Sequence, residues 1–167
     1  MAKIQLLKIT PCLWFDRQAE EAARFYVSIF KKSKIGRIAR YGKAGFEVHH
    51  MPAGTVLTIE FQLEGQSFTG LNGGPVFKFT EAVSFMVMCK TQKEIDYYWE
   101  KLGAGGDRRA QQCGWLKDRL GLSWQIVPEI MPELMTKSPR KAEAVMTAVL
   151  KMKKIDLAAL KAAYAAG

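Results

Sequence analysis

The sequence is poor in the side chains that hold transition metals or build redox centres: 167 residues contain two histidines and three cysteines. Cys12, Cys89 and Cys113 lie far apart, form no CxxC, and each falls in an apolar, strand-like run. An odd number of such thiols suits a reducing cytoplasm better than a disulfide framework, and a catalytic thiol is the minor reading for each. No apolar run approaches the ~20 residues that cross a bilayer, so a membrane is not expected as a partner. The opening MAKIQLLKITPCLWF lacks a long apolar segment followed by a small-residue cleavage site, so no signal peptide is expected. The formal charge of +9 invites an anionic partner, but its densest patch is only Lys151, Lys153 and Lys154, with no interleaved aromatic residues. A solvated surface explains it as well, and nucleic acid is the weakest of the partner readings.

The remaining composition is that of a soluble globular chain, long enough for one domain or two small similar halves. Residues 4–15 read as a strand, and Asp16 as the N-cap of a helix whose stripe is Ala22, Phe25, Tyr26, Ile29 and Phe30. Short strands follow at Ile35–Tyr41, Thr55–Leu63, where Leu57, Ile59, Phe61 and Leu63 alternate with polar residues, and Ser67–Leu71. Asn72-Gly73-Gly74-Pro75 breaks the chain. The pattern then begins again, with a strand at Ala82–Cys89, a capping box Thr91-Gln-Lys-Glu94, and a helical stripe of Ile95, Tyr98, Trp99 and Leu102. Further short strands run to Pro128. Gln18-Ala-Glu20 recurs as Gln92-Lys-Glu94 and Phe25 as Trp99, at one constant offset, so a strand–helix–strands unit occurs twice, with modules at about 4–74 and 80–128 inside a domain of residues 1–130. Residues 131–167 form a helical appendage: a turn at Pro132, a helix after Ser138-Pro139, and a last helix capped by Asp156, with Ile155 and Leu160 at staple spacing.

Residues 113–128, CGWLKDRLGLSWQIVP, read as a hairpin turning at Asp118–Gly121. Pairing Lys117 with Leu122 puts Trp115 opposite Trp124 and Cys113 opposite Ile126, all on one face. A one-residue bulge at Gly121 would alter this register. The tryptophans then pack the sheet onto a helix or, as a second reading, form a ligand platform. Gln125 falls on the other face, among apolar neighbours. It makes either a core hydrogen bond or part of a binding cleft.

Together, LNGGPVFKF (71–79), AVSFMV (82–87), this hairpin and MKKIDLAALKAAY (152–164) resemble the PhnB-like group of the vicinal oxygen chelate superfamily, which includes glyoxalase I, bleomycin-resistance proteins and extradiol dioxygenases. Its members often carry the label 3-demethylubiquinone 3-methyltransferase. The resemblance implies an α+β fold: two βαβββ modules, each curling a mixed sheet into a cup, plus the C-terminal helices. In the metal enzymes of that superfamily, four inward side chains hold a divalent ion. Those positions fall here at Thr10, near Gly70, at Ser84 and at Gln125, and none is a histidine or a carboxylate. The expectation is therefore no bound metal and no cofactor; no glycine-rich strand-to-helix turn is present to cradle S-adenosylmethionine.

His49-His50 precedes Met51-Pro52, and adjacent strand residues point to opposite faces, so the pair does not chelate together there. Glu60 is a candidate general base, against a solvated strand face; the catalytic residues are otherwise left open. Trp14, Met86 and Met88 fall on the cleft faces with Thr10 and Ser84, which suits an apolar or aromatic ligand or plain core. The expected function is cytoplasmic binding of a small organic molecule in a cleft formed by Thr10, Trp14, Glu60, Ser84, Met86 and Gln125, by a homodimer. The alternatives are a small-molecule enzyme, metal-dependent or metal-free, and, more weakly, a nucleic-acid accessory protein.

Overall fold

A computed structural model describes residues 4–167, which fall into two compact units, residues up to 78 and residues 79–167. The first contains β1 (Cys12–Phe15), α1 (Ala19–Ile29), β2 (Lys34–Arg40), α2 (Phe46–His49), β3 (Val56–Leu63) and β4 (Gln66–Asn72). Its sheet has the order β1-β4-β3-β2, with β1 parallel to β4 and the other pairs antiparallel. The period-two pattern of β3 decides the layering. Ile59, Phe61 and Leu63 are buried with Leu13, Phe15 and Phe68 against Ala22, Ala23, Tyr26 and Ile29 of α1. Phe61 stacks on Phe68 with centroids 5.2 Å apart, and each buried ring of this kind contributes about 1.5–3 kcal/mol. The helix sits close because small residues face it: a Cβ at Gly70 would lie 3.1 Å from Ile59 and 3.3 Å from Ala19.

Two local expectations are corrected here. Residues 4–11 are not strand, since β1 begins only after Pro11, which has no N–H to donate to a ladder. Nor does Asp16 cap α1. The helix starts at Ala19, whose N–H donates to the Asn72 side-chain oxygen at 2.8 Å, and the Asn72 amide in turn donates to the Val56 carbonyl at 2.9 Å. Asn72, read from sequence as a chain breaker, is a buried tie between helix and sheet.

The second unit contains β5 (Phe85–Cys89), α3 (Gln92–Gly103), β6 (Trp115–Lys117), β7 (Ser123–Pro128), α4 (Met131–Thr136), α5 (Pro139–Val149) and α6 (Leu157–Ala166). Its sheet runs β5-β7-β6, with β5 parallel and β6 antiparallel to the central β7. It is one strand short of the second βαβββ module expected. The stretch ahead of β6 instead makes a 3-10 turn, Arg108–Ala110, capped by the Asp107 side chain, and only a Gln112–Trp115 bridge remains of the pairing. Ile95 and Leu102 of α3 are buried, as are Val87, Leu116, Trp124 and Ile126 on the facing side of the sheet.

The C-terminal helices dock on this unit. Cys113 and Gly114 donate backbone N–H groups to Met152 and Lys153, and Gln92 accepts from the Leu157 N–H while donating to the Ile155 carbonyl. Asp156 caps α6 through the Ala159 N–H, and Ile155 and Leu160 are both buried beside it.

Candidate functional site

The hairpin carries the main correction. Asp118 accepts the Gly121 N–H and donates its own N–H to the Leu122 carbonyl, which leaves a three-residue loop with Gly121 at φ 87°. A left-handed glycine ending a three-residue loop is the bulged form of the turn, and it slips the register by one. Trp115 therefore pairs with Gln125, and Leu116 with Trp124. The two tryptophans lie on opposite faces. Trp124 is buried, its indole N–H donating at 2.8 Å to Asp118, while Trp115 is half-buried on the open face.

That open face has a regular composition. Its central rung is Met86, Gln125 and Trp115, aligned across β5, β7 and β6. On one side lies the pair Met88–Val127, and on the other Ser123–Lys117. Met86 is 56% exposed and Met88 41%, unusual for thioether side chains on a sheet. Ser84 stands just before β5, and Gln125 Nε2 donates to its Oγ at 2.8 Å. Lys117 forms an ion pair with Glu81, whose carboxyl is held below its usual range first by that hydrogen bond. Three of the expected cleft residues, Ser84, Met86 and Gln125, thus share one face of one unit. Trp115 joins them; the sequence signal for it was the glycine bulge.

The first unit brings Trp14 and Glu60 to its own open face, on different rungs: Trp14 beside Leu71 and Thr58, Glu60 beside Thr69 and Cys12. Trp14 is pinned by its own unit. Its indole donates to the Gly74 carbonyl at 2.9 Å, Phe77 meets it edge-on at 4.9 Å, and a Cβ at Gly73 would lie 2.1 Å from its ring. The Glu60 carboxylate is clasped by Arg37, with Nε 3.0 Å from both oxygens and Nη2 2.7 Å from one. Hydrogen bonding to Glu60, then its charge, raises the Arg37 pKa above its ordinary value. Thr10 lies outside β1, its hydroxyl donating to the Leu7 carbonyl at 2.8 Å. Gly70 faces α1, not the open side.

His49 and His50 are the end of α2 and the residue after it. His49 Nδ1 accepts the Met51 N–H at 2.9 Å and Nε2 lies 3.1 Å from the Ala44 carbonyl, so both ring nitrogens are engaged within the loop. Among the described residues, no three His, Cys, Asp or Glu side chains gather as a metal would need.

Comparison with known proteins places this geometry. The family model for 3-demethylubiquinone-9 3-methyltransferase matches residues 7–127. A PhnB protein from Bacillus cereus, described as a 3-demethylubiquinone-9 3-methyltransferase, is 37% identical over 73% of this chain and 99% of its own, with a TM-score of 0.62. The chain belongs to this PhnB-like, 3-demethylubiquinone-9 3-methyltransferase-labelled family. Protein PA1353 from Pseudomonas aeruginosa shares the fold, at 17% identity over 74% of this chain and 98% of its own, with a TM-score of 0.56. A fosfomycin resistance protein from Listeria monocytogenes aligns over 84% of this chain and 99% of its own at 13% identity and a TM-score of 0.46, too loosely to carry an argument. The comparison with curated proteins found no match. The family match ends ahead of α4, and no helix among the described residues is long and apolar enough to cross a membrane.

Proposed function

We propose that the protein binds a small organic molecule against the open sheet face of its second unit. The observation that carries this reading is the Met86–Gln125–Trp115 rung: two large apolar side chains, incompletely buried, flank a hydrogen-bonding amide at the centre of a sheet. Apolar walls with a few converging polar groups are the ordinary composition of a ligand site.

A tightly bound divalent metal does not fit the donors present. On the first unit Thr10 spends its hydroxyl on its own loop, and Gly70 offers nothing. On the second, Ser84 and Gln125 bond to each other. Neutral hydroxyl and amide oxygens lack the charge that such ions require of their ligands. Proton abstraction by Glu60 would have to displace the Arg37 guanidinium that clasps its carboxylate. The strand-to-helix turns do not suit S-adenosylmethionine either: the chain passes from β1 to α1 through Asp16, Arg17 and Gln18 and from β5 to α3 through Lys90 and Thr91, and neither turn contains glycine.

The reading includes a homodimer. Of the apolar stripe on the C-terminal helices, Val145, Val149 and Leu160 are already buried within the chain, whereas Met146 and Leu150 remain 42% and 60% exposed. Native mass spectrometry of freshly purified, untagged protein tests the whole proposal. The expected species is about twice 18.8 kDa, carries an organic adduct, and takes up neither metal nor added S-adenosylmethionine. Near-stoichiometric zinc, nickel, iron or manganese that survives dialysis and is lost on Gln125→Ala would overturn the metal-free reading. Saturable S-adenosylmethionine binding would restore methyl transfer, and a clean monomer would remove the dimer.

A further inference from the structure

The polar groups on the second open face carry no net charge and are under-used. Gln125 spends one amide hydrogen on Ser84. Among the described residues, its carbonyl oxygen and its second amide hydrogen have no partner. The Ser123 hydroxyl is buried and, among the described residues, has no hydrogen-bond partner. By the alternation of β7, Ser123 points to the same side as Gln125, and its cross-strand neighbour is Lys117. An orphaned buried hydroxyl costs about 1–3 kcal/mol, so its presence points to a partner that the chain does not supply. Ser84, Gln125 and Ser123 thus make a short polar row, with Met86 and Trp115 on its flanks. Among the described residues, the cation that the strands bring to this face is Lys117, and it is already paired with Glu81.

We propose that this row recognises a neutral, planar aromatic ligand whose polar edge holds a hydrogen-bond donor and acceptor side by side, as in a carboxamide or lactam. The inference rests on the binding reading above and names its ligand class. A primary amide complements another amide in both directions, donating to the free Gln125 oxygen and accepting from its free hydrogen or from a serine hydroxyl. Because the Ser84 hydroxyl can either donate or accept, one end of the Gln125 amide stays free whichever way it is turned. Ser123 and Gln125 are two positions apart on one strand, roughly 7 Å, the span of a ring with its substituent. The ring then lies against the Trp115 indole and the Met86 thioether, both suited to aromatic contact. A carboxylate would lose its hydration shell with no unpaired cation to meet it, and an ammonium would find no unpaired anion.

The test uses benzamide, benzoate, benzylamine and toluene as probes, read on the Gln125 side-chain amide and Trp115 indole resonances in ¹⁵N-correlated NMR spectra of the full chain. Benzamide should shift both resonances saturably, with an affinity at least about tenfold above those of the three others. Ser123→Ala and Gln125→Leu should each reduce that preference several-fold, with spectral dispersion reporting that the fold is kept. Benzoate or benzylamine binding as tightly as benzamide overturns the proposal, and so does a preference that survives both substitutions, which would leave Ser123 served by water alone. If toluene binds as well as benzamide, the binding reading stands and the polar row fails. If no probe shifts either resonance, both fail.

Discussion

Removing the Asp118 carboxylate should unfold the second unit far more readily than the position's place in a surface turn suggests. The residue is 2% exposed. One oxygen accepts the N–H groups of Leu120 at 2.8 Å and Leu122 at 3.1 Å, and the other accepts the Trp124 indole at 2.8 Å. Leu122 and Trp124 are themselves buried, so in Asp118→Ala two donors lose their partner where water does not reach. At about 1–3 kcal/mol for each orphan, the loss is about 2–6 kcal/mol. Relief of the carboxylate's own desolvation places the expected value near 3–4 kcal/mol, a large part of a typical domain's 5–15 kcal/mol. Asp118→Asn should cost about 2 kcal/mol: its oxygen still serves the two backbone groups, but its NH2 then meets the indole donor to donor. Urea denaturation followed by tryptophan emission, with the Leu120 and Leu122 amides followed by hydrogen exchange, gives the numbers. Trp124→Phe completes a double-mutant cycle with Asp118→Asn. The two effects should fall short of additivity by about 1–2 kcal/mol, because each removes the same bond. A loss under 1 kcal/mol for Asp118→Ala, or strict additivity, would show that the carboxylate does not hold the hairpin.

In the first unit, Asn72→Ala orphans the Ala19 N–H and the Val56 carbonyl, and should cost about 2–4 kcal/mol with selective loss of exchange protection at the start of α1; unchanged protection there would contradict the tie. Burial, and after it the charges of Glu94 and Glu129, push the Cys89 thiol up to about 12, so at pH 8 it stays protonated. Ellman's reagent should then label Cys89 only after unfolding, while the exposed Cys12 reacts in the native protein; early labelling of Cys89, located by peptide mapping, would refute its burial. Asp107 is held at about 2, chiefly by its hydrogen bonds from the Arg109 side chain and then backbone. Its folded pKa is depressed, so its stabilising contribution is complete above the ordinary value near 4 and disappears as the pH falls through about 2. A carboxyl NMR titration should show no Asp107 midpoint above pH 3, and in Arg109→Ala the midpoint should rise toward 4.

What was legible in the sequence was local. The Thr91 cap of α3 and the Asp156 cap of α6 depend on donors three residues away, Glu94 and Ala159, and both are present. The cap of α1 depends on Asn72, 53 residues away, and no local pattern reveals such a partner. Asp16 had the right chemistry in the wrong place. The hairpin shows the other limit. Period two placed Gln125 away from the core, but one residue of slippage at Gly121 decided which side Trp115 took. A turn that differs by one residue is nearly isoenergetic in local terms, and the choice falls to what the strands can bury. Leu116 covers the core side better than a half-exposed tryptophan would, and Asp118 secures the choice by accepting from Leu122 and Trp124 together.

That slip also determines the chemistry of the site. With Trp115 on the packed side, the open face would be a row of thioethers around an amide, and Gln125 would read as a core residue awaiting a partner. With Trp115 opposite Gln125, the amide lies between an indole and a thioether, its remaining hydrogen-bonding capacity unspent, beside a buried hydroxyl with none spent. A chain that needed these groups only for stability would do better to replace them with apolar residues, since unsatisfied polar atoms subtract from the core. Their presence on the same strand, two positions apart, at the centre of the sheet, is what supports the proposed ligand on that face.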